Sequence, residues 1–318
     1  MKVSVVTPNF NGEKFLKDYF DSLNNNSNFI GEVIMVDNGS TDNSLEIIDK
    51  FTKKFDFKLI KNKKNLGFAK ATNQAIEIAK YPYIFSLNND VKLEDNTIEE
   101  LLKLIKTDDN IFSLSSKMVQ MDNPDLIDDA GDNYTLFAYT QKRGDNKPVQ
   151  EFNEVKEIFS SCAGAALYRK DILDKIGLFD ENFFAYMEDV DLAYRAKIEG
   201  YKNLYCPTAV VYHKGSGTTG SKYNEFKIKI AARNNVWVVY KNLPIPQKIL
   251  NIVFLFLGFF IKYHFFRRKG FGSIYLEGLK EGLTNKNKIK KVKFKSKNTK
   301  NYFKIEGQLI KNTFKIIK

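Results

Sequence analysis

The sequence predicts an α/β fold with a mainly parallel, Rossmann-like sheet and helices on both of its faces. Short apolar runs alternate with amphipathic segments over the first 120 residues, and the connections between them are short. The chain has 318 residues, 43% of them hydrophobic and 28% charged, which is ordinary for a folded protein of this size. We expect one α/β domain over residues 1–240 and a helical, basic extension over residues 241–318.

The predicted elements alternate in order from the N terminus. Apolar runs predict strands at Lys2–Thr7, Glu32–Val36, Phe57–Lys61, Tyr83–Leu87 and Ile111–Val119. Apolar residues at helical spacing predict helices at Glu13–Leu23, Leu45–Phe51, Phe68–Ala79 and Thr97–Ile105. Between the second strand and its helix, Gly39–Asp42 supplies a turn and a helix cap.

Residues 121–157 interrupt this alternation, because they are rich in Asp and Asn and show no clear period. We expect them to form an irregular excursion over the face of the sheet that holds the site. Regular elements then return in the order strand 159–168, helix Lys170–Ile176, an acidic helix beginning near Glu188, strand Ala209–His213 and helix Asn224–Tyr240.

The segment Ile249–Phe266 is strongly apolar and is followed by Arg267-Arg268-Lys269. This pattern is compatible with three structures: a buried core helix, a segment lying on a membrane surface, or a membrane-spanning helix. Its fully apolar part covers about ten residues, short of the roughly 20 that a span needs, so an interfacial segment is favoured.

Net charge is concentrated at the C terminus. Residues 285–318 contain twelve Lys and one acidic residue, which accounts for most of the net charge of +12. A basic tail on a nearly neutral body suggests a polyanion partner, either nucleic acid or an anionic membrane surface. Lysine is also abundant throughout the chain, so a biased base composition is the alternative.

The cysteines and the N terminus indicate an intracellular protein. Cys162 and Cys206 form neither a disulfide framework nor a metal-binding spacing, which suits a reducing cytosol. The first apolar run is far too short for a signal peptide, so we expect a protein that is not exported.

Three carboxylates, Glu188, Asp189 and Asp191, directly follow the aromatic run Phe-Phe-Ala-Tyr-Met at a predicted helix N terminus. The helix dipole favours negative charge there, and an ionised carboxylate beside an apolar wall suits a general base. The alternative is a structural charge cluster with an Asp191–Arg195 helix pair.

Polar residues also follow three of the predicted strands, at Thr7–Asn11, Asp37–Ser40 and Ser86–Asp90. The carboxyl ends of parallel strands meet at one edge of a sheet, where α/β proteins bind ligands. We therefore expect a polar crevice at this edge.

Six ordered segments over residues 1–235 resemble the family 2 glycosyltransferases of the GT-A fold, with most similarity to the rhamnosyltransferase-like branch. They are TPNFNGEKFL, VIMVDNGSTDNS, NLGFAKATNQAI, FSLNNDV, CAGAALYRKDILDKIGLFDENFFAYMEDVDLAYRAKIEGY and YHKGSGTT. The resemblance implies transfer of a sugar from a nucleotide-sugar donor, dTDP- or UDP-linked, to a glycan or lipid-linked acceptor.

The resemblance places the donor nucleotide at the ends of the first two strands. Asp37 would accept a hydrogen bond from the imide N–H of a uracil or thymine base. Thr7, Pro8 and Asn9 would line the same base.

Further matched positions surround the rest of the donor. Asn65 and Gly67 lie on the NLGF loop, which would close over the nucleotide. Gly164 would let the backbone approach the donor sugar.

The resemblance further implies a divalent cation, Mg²⁺ or Mn²⁺, held by Asp90 and His213 against the donor diphosphate. Asp90 occupies the last position of the family's Asp-x-Asp motif. Asn88 replaces the first Asp, so this chain has one metal-binding carboxylate fewer than the motif.

The resemblance implies that Asp189 is the catalytic base, with Glu188 as the nearest competitor. Asp191 would instead have a structural role through an ion pair with Arg195. One base and an in-line displacement imply inversion at the anomeric carbon. The alternatives are a non-catalytic nucleotide- or glycan-binding module, suggested by Asn88, and a sugar-1-phosphate nucleotidyltransferase, which would need a Gly-rich basic loop absent from TPNFNGEKFL.

The acceptor and the C-terminal segment together suggest a location. We expect a cytoplasmic enzyme held peripherally at the inner face of the cytoplasmic membrane by an anionic membrane surface. No nucleic-acid partner is expected.

Overall fold

The structure is a computed structural model that describes residues 1–215 and 223–317. The end of the predicted YHKGSGTT motif, residues 216–219, lies outside the described residues.

The strands alternate with helices through the first 120 residues as the sequence predicts, except for an additional short strand at Val91–Leu93. Their bounds are β1 (Val3–Asn9), β2 (Ile30–Asp37), β3 (Phe57–Lys61), β4 (Tyr83–Leu87), β5 (Val91–Leu93), β6 (Ile111–Gln120), β7 (Ile127–Asp129), β8 (Asp132–Tyr134), β9 (Thr140–Lys142), β10 (Lys156–Ile158), β11 (Ala165–Arg169) and β12 (Lys202–His213).

The helices lie between these strands and over the C-terminal region. Their bounds are α1 (Glu13–Asn25), α2 (Ser44–Phe51), α3 (Phe68–Glu77), α4 (Thr97–Ile105), α5 (Lys170–Ile176), α6 (Glu188–Ile198), α7 (Glu225–Asn242), α8 (Ile245–Leu250), α9 (Ile252–Arg268), α10 (Gly272–Thr284) and α11 (Thr299–Ile317).

One central sheet has the strand order β10-β12-β6-β11-β4-β1-β2-β3, with β5 and β7 paired at β12 and β6. Strands β1 to β4 pair in parallel, and β6 pairs in parallel with β12. Strand β11 runs antiparallel between β4 and β6. The predicted α/β fold with a mainly parallel sheet is confirmed.

Alternating side chains of the buried strands pack against helices on both faces. In β1, Val3 and Val5 join the core that α1, α2 and α4 cover, whereas Val6 joins the core beneath α3, α5 and α6. Strands buried on both faces are apolar runs in the sequence, which is why they were recognisable.

The region 121–157 differs from the expected irregular excursion, because it contains β7 to β10, and β8 and β9 form a two-stranded hairpin. These strands are three residues long, so no period shows in the sequence. The last strand is also longer than predicted, since β12 continues through a register shift around Pro207, which has no N–H to donate to β6.

The C-terminal region packs on the α/β body. Helix α10 lies along α7, and α11 contacts α6 and β8. Tyr302, Ile305 and Leu309 of the Lys-rich tail share a buried cluster with Val190 and Tyr194 of α6. The tail is therefore a folded helix, and the division of the chain at 240/241 stays a prediction.

Helix α9 contains most of the apolar segment, and Gly258 is the one residue of this helix that is buried. A core helix would hide its large apolar side chains, yet many here are exposed. Exposed apolar side chains from α8 and α9 are Ile245, Ile249, Leu250, Ile252, Val253, Phe254, Phe256, Leu257, Phe260, Ile261 and Phe265. Across residues 1–215 and 223–317, the helices lack the combined length and apolar character that crossing a bilayer requires.

Candidate active site

The carboxyl ends of β1, β2 and β4 are joined by side-chain hydrogen bonds. Asn9 Nδ2 donates to Asp37 Oδ1 at 2.9 Å, and Asn89 Nδ2 donates to Asn9 Oδ1 at 2.6 Å. The backbone N–H of Ser40 donates to Asp37 Oδ2 at 3.1 Å. These bonds bring the three predicted strand ends together at one edge of the sheet.

The NLGF loop is tied to the end of β2. Asn38 Nδ2 donates to Asn65 Oδ1 at 3.0 Å, and Asn38 Oδ1 accepts from the Leu66 N–H at 3.0 Å. Gly67 has φ +89°, and a Cβ there would lie 2.6 Å from Phe184. Glycine is therefore required by both backbone conformation and close approach.

A crevice of about 1050 Å³ opens above this edge. Predicted site residues that line it are Pro8, Asn9, Asn65, Gly67, Asn88, Asp90, Gly164, Glu188, Asp189 and His213. Thr7 and Asp37 lie beneath the surface of the crevice instead. Thr7 Oγ1 contacts Tyr19 Oη at 2.5 Å, and Asp37 is only 2% exposed.

Asp90 and His213 are adjacent because β5 pairs with β12, with Val91 opposite His213. His213 Nε2 lies 3.6 Å from Asp90 Oδ1, and Nδ1 lies 2.8 Å from Asp128 Oδ2. Burial disfavours the imidazolium, yet the two carboxylates raise the pKa of His213 to about 9.

The residues present fit a divalent cation in part. Asp90 Oδ1 is buried and accepts no hydrogen bond from the described residues. A cation beside Asp90 would take the place of the proton on His213 Nε2, while Asp128 would hold the proton on Nδ1, an arrangement common behind metal-bound histidines. Within 1–215 and 223–317 no three such ligands cluster around one point, so phosphate and water oxygens would have to complete the coordination.

Asp189 and Glu188 begin α6 after a strained turn. Phe184, Tyr186 and Met187 have φ values of +67°, +67° and +71°, a region that costs energy for residues other than glycine. Such strain persists only where the surroundings fix it.

Asn234 of α7 fixes this turn. Its Nδ2 lies 2.9, 2.8 and 2.7 Å from the carbonyl oxygens of Phe183, Ala185 and Tyr186, and it is fully buried. The C-terminal half of the chain thus positions the residues that precede the predicted base.

The two adjacent carboxyl groups have different electrostatic environments. Burial raises the pKa of Asp189, while the backbone N–H groups of Val190 and Ala163 and the ammonium of Lys142 oppose the rise. Burial and the neighbouring Asp189 charge raise the pKa of Glu188 well above its ordinary value. Ionisation of Glu188 is therefore disfavoured both by burial and by the charge of its neighbour.

Asp191 points away from the crevice and is fully buried. It accepts from Arg195 Nε at 3.0 Å, Lys241 Nζ at 2.9 Å and Asn242 Nδ2 at 2.8 Å. The predicted Asp191–Arg195 pair is present within α6. The bonds from Lys241 and Asn242 to Asp191 join α6 to the end of α7.

Several crevice residues are absent from the sequence-based prediction. Asp128, Asp129 and Lys142 come from the region taken as irregular, and Lys262 comes from α9. The run Ile-Asp-Asp-Ala-Gly-Asp at 127–132 is a signal that could have identified the carboxylates, since paired acids are common in sites. No local pattern marks Asn234 or Lys262.

The chain matches a protein-family model and several known proteins. The family model for glycosyl transferase family 2 matches residues 4–177. The O-antigen chain rhamnosyltransferase WbaN of Salmonella anatum is 23% identical over 290 residues, covering 82% of this chain and 89% of WbaN.

Two longer relatives are matched over part of their length. Chondroitin synthase of Pasteurella multocida is 24% identical over 276 residues, which is 77% of this chain and 28% of the synthase. Poly-beta-1,6-N-acetyl-D-glucosamine synthase of Staphylococcus epidermidis is 24% identical over 198 residues, 61% of this chain and 45% of that enzyme. The chain thus spans less than half the length of these two relatives.

Solved structures share the fold. GalNAc-T7 with UDP, GalNAc and Mn²⁺ aligns with TM-score 0.61 and 19% identity over 75% of this chain and 47% of that chain. S. aureus TarS 1–349 aligns with TM-score 0.55 and 19% identity over 98% of this chain and 81% of that chain. Because the family model covers more than half of the sequence and the GT-A neighbours agree in fold, the chain belongs to glycosyl transferase family 2.

Proposed function

We propose that this protein is an inverting, metal-dependent glycosyltransferase that uses a dTDP- or UDP-linked sugar. The observation that supports this most strongly is the placement of Asp189 in the same crevice as Asp90 and His213. A general base and a site for the donor diphosphate must face one volume for a sugar to pass between substrates.

The nucleotide would lie over the strand ends. Asn9 and Asn38 present polar groups to the crevice there, and Asp37 lies directly below them. Each Asp37 oxygen accepts one hydrogen bond within the protein, which leaves lone pairs for the imide of a pyrimidine base.

Asp90 and His213 would hold Mg²⁺ or Mn²⁺, which when bound stabilises the charge that develops on the departing nucleoside diphosphate. Asp128 would keep the His213 ring oriented. Asn88 would orient donor groups through its amide without adding charge.

Asp189 would accept the proton of the acceptor hydroxyl while that oxygen attacks the anomeric carbon. The new glycosidic bond forms on the side opposite the diphosphate, whose bond to the sugar breaks in the same step. One displacement inverts the configuration, and Glu188, whose ionisation is disfavoured by burial and by the Asp189 charge, would be the poorer proton acceptor of the two.

The acceptor would be a glycan or a lipid-linked glycan, reached from an anionic membrane surface at the inner face of the cytoplasmic membrane. Support comes from the exposed apolar side chains of α8 and α9, which are followed by Arg267, Arg268 and Lys269. Apolar side chains flanked by basic residues suit the interface of an anionic bilayer.

A panel of dTDP-, UDP- and GDP-sugars tests the proposal. Released nucleoside diphosphate is measured with and without Mn²⁺, and NMR of the product gives the anomeric configuration. Tight binding of a nucleotide sugar without turnover would instead support a non-catalytic binding module, which Asn88 in place of an acid favours. Synthesis of a nucleotide sugar from a sugar 1-phosphate would support the nucleotidyltransferase alternative.

A further inference from the structure

The crevice extends beyond the predicted base to the C-terminal helices. Its far end is lined by Ile228 and Ala232 of α7, Lys262 and Phe266 of α9, and Tyr275 of α10. A volume of about 1050 Å³ lies at the top of the range of about 300–1,000 Å³ usual for one small ligand. The crevice therefore has room for part of an acceptor as well as a donor.

Lys262 is held at this end by the β8–β9 hairpin. Tyr139 Oη donates to the Gly258 carbonyl at 2.5 Å, and a Cβ at Gly258 would collide with the carbonyl of Phe137. One turn further along α9, Lys262 Nζ lies 4.4 Å from the centre of the Tyr139 ring. The ammonium is thereby directed to the crevice and away from the exposed apolar side chains of the same helix.

The charge of Lys262 lacks a carboxylate counter-charge in the described part of the chain. Among residues 1–215 and 223–317 no carboxylate forms an ion pair with Lys262, and no carboxylate charge opposes the effect of burial on its pKa. Burial lowers the pKa of Lys262 to about 8, so the ammonium is still mostly protonated at neutral pH. A partly desolvated cation without a counter-ion favours an anionic ligand.

Two more lysines face the same crevice between Lys262 and the base. Lys142 of β9 forms an ion pair with Asp128 at 3.1 Å. The pKa of Lys227 on α7 is lowered mainly by burial and further by the nearby charge of Lys142. Lys142 is thus balanced by a neighbouring carboxylate, whereas Lys262 has no carboxylate beside it among the described residues.

We propose that Lys262, with Phe266 and Tyr275 beside it, forms a subsite for the phosphate or diphosphate group that joins the acceptor sugar to a lipid. The sugar would extend past Lys227 and Lys142 to Asp189. The hydrocarbon chain would leave over the rings of Phe266 and Tyr275, which stack with centroids 5.3 Å apart, toward the apolar exterior of α9. This inference rests on the proposed function, whose acceptor it specifies.

Binding of farnesyl diphosphate to the full-length protein tests the subsite. Isothermal titration is done in buffer containing UDP, dTDP and MnCl₂, so that the donor site is occupied. We expect farnesyl diphosphate to bind more tightly than farnesol or inorganic pyrophosphate. Lys262→Met should weaken farnesyl diphosphate binding by about tenfold or more, as expected for loss of a hydrogen bond to a charged group. Lys262→Arg keeps the positive charge and should retain much of the affinity.

Lys248 provides a matched control. Its Nζ lies 5.2 Å from the Tyr240 ring centre, burial likewise lowers its pKa to about 8, and it does not line the crevice. Lys248→Met should leave farnesyl diphosphate binding unchanged, and thermal unfolding of each variant shows whether it is folded. The comparison of farnesyl diphosphate with farnesol on the wild-type protein needs no variant.

Three results would overturn the subsite. The first is equal affinity for farnesyl diphosphate and farnesol. The second is pyrophosphate binding as tight as that of farnesyl diphosphate, which would indicate a site for a free anion. The third is weakened UDP or dTDP binding in Lys262→Met, which would assign the lysine to the donor site. Absence of donor hydrolysis by the wild-type protein would contradict the proposed function alone, since these titrations do not depend on turnover.

Discussion

At the scale of single residues, the candidate site gives two adjacent acids different electrostatic environments. Asp189 receives backbone N–H groups and faces Lys142, whereas buried Glu188 has one oxygen, Oε2, without a partner in the described residues. Pairs of carboxyl groups whose environments separate their pKa values often divide acid and base roles. The following predictions use this difference.

Asp189→Asn should lower kcat by about 10²- to 10⁴-fold, as for loss of a general base, while the Kd of the donor stays nearly constant. Glu188→Gln should keep most of the turnover, because the proposed base is Asp189 and the amide preserves the size of the Glu188 side chain. Steady-state kinetics and donor titration measure both. If Glu188→Gln is the inactive variant, the base is Glu188.

The pH dependence of kcat/KM should show an acid limb above the range of an ordinary aspartate. A raised pKa keeps Asp189 protonated at pH values where an exposed aspartate is ionised, and only the ionised form accepts a proton. Lys142→Met removes a charge that favours ionisation and should move the limb to higher pH. The exposed Lys175→Met on α5 is the control, and a limb that moves down in Lys142→Met would contradict this electrostatic account.

Donor binding should require a divalent cation. Asp90→Ala should weaken the binding of both Mn²⁺ and the nucleotide. Asp128→Asn should weaken Mn²⁺ binding by about 10- to 100-fold, because the His213 ring loses the partner that orients it. Asp18→Asn, at an exposed position of α1, should change neither. Titration of Mn²⁺ measures the effects, and full activity in excess chelator would show a metal-free site.

At the scale of elements, α7 controls the start of α6. Asn234 donates hydrogen bonds to three carbonyl oxygens of the strained turn. Removing these bonds should lower the free energy of unfolding by about 1–3 kcal/mol, because buried carbonyl groups lose their partners. Asn234→Ala should lower kcat as well, because the turn before Asp189 relaxes.

The matched control is Asn312→Ala on α11, where the buried amide donates to the Tyr134 carbonyl at 3.0 Å. It should lower the unfolding temperature and leave kcat unchanged. Equal kcat losses in the two variants at a temperature where both are folded would show that Asn234 acts through stability alone.

At the scale of the whole molecule, α9 has two different sides. Lys262 and Phe266 face the crevice, while Phe256, 68% exposed, and Phe260, 50% exposed, face outward. The proposed membrane attachment and the proposed acceptor end of the crevice therefore share one helix. This arrangement would place a lipid-linked substrate beside the proposed base.

Phe256→Ser with Phe260→Ser should reduce binding to vesicles containing anionic phospholipid by at least about tenfold, since a buried Phe contributes about 1.5–3 kcal/mol. Donor hydrolysis should persist. Ile78→Ser, 43% exposed after α3, is the control. Cosedimentation at low and high salt measures binding, and wild-type protein that ignores such vesicles at low salt would contradict the attachment.

The sequence by itself determined the α/β body and much of the candidate site. Strands buried on both faces must be apolar runs, and parallel strand ends must meet at one edge, so Asn9, Asp37 and Asn89 were expected together before any coordinates. The region of the proposed base was recognisable because three acids follow an aromatic run at a helix start. These features are local in the chain, so that a window of a few residues contains the whole signal.

Only the tertiary structure decided which distant groups complete the site. Asp128 reaches His213 across 85 residues, Asn234 reaches the turn before α6 across about 50, and Lys262 reaches the crevice from α9. The C-terminal extension is helical, as predicted, and the structure adds that its helix α11 packs against α6. Such contacts depend on how elements pack, and strands of three residues or a single buried amide leave no periodic trace in the sequence.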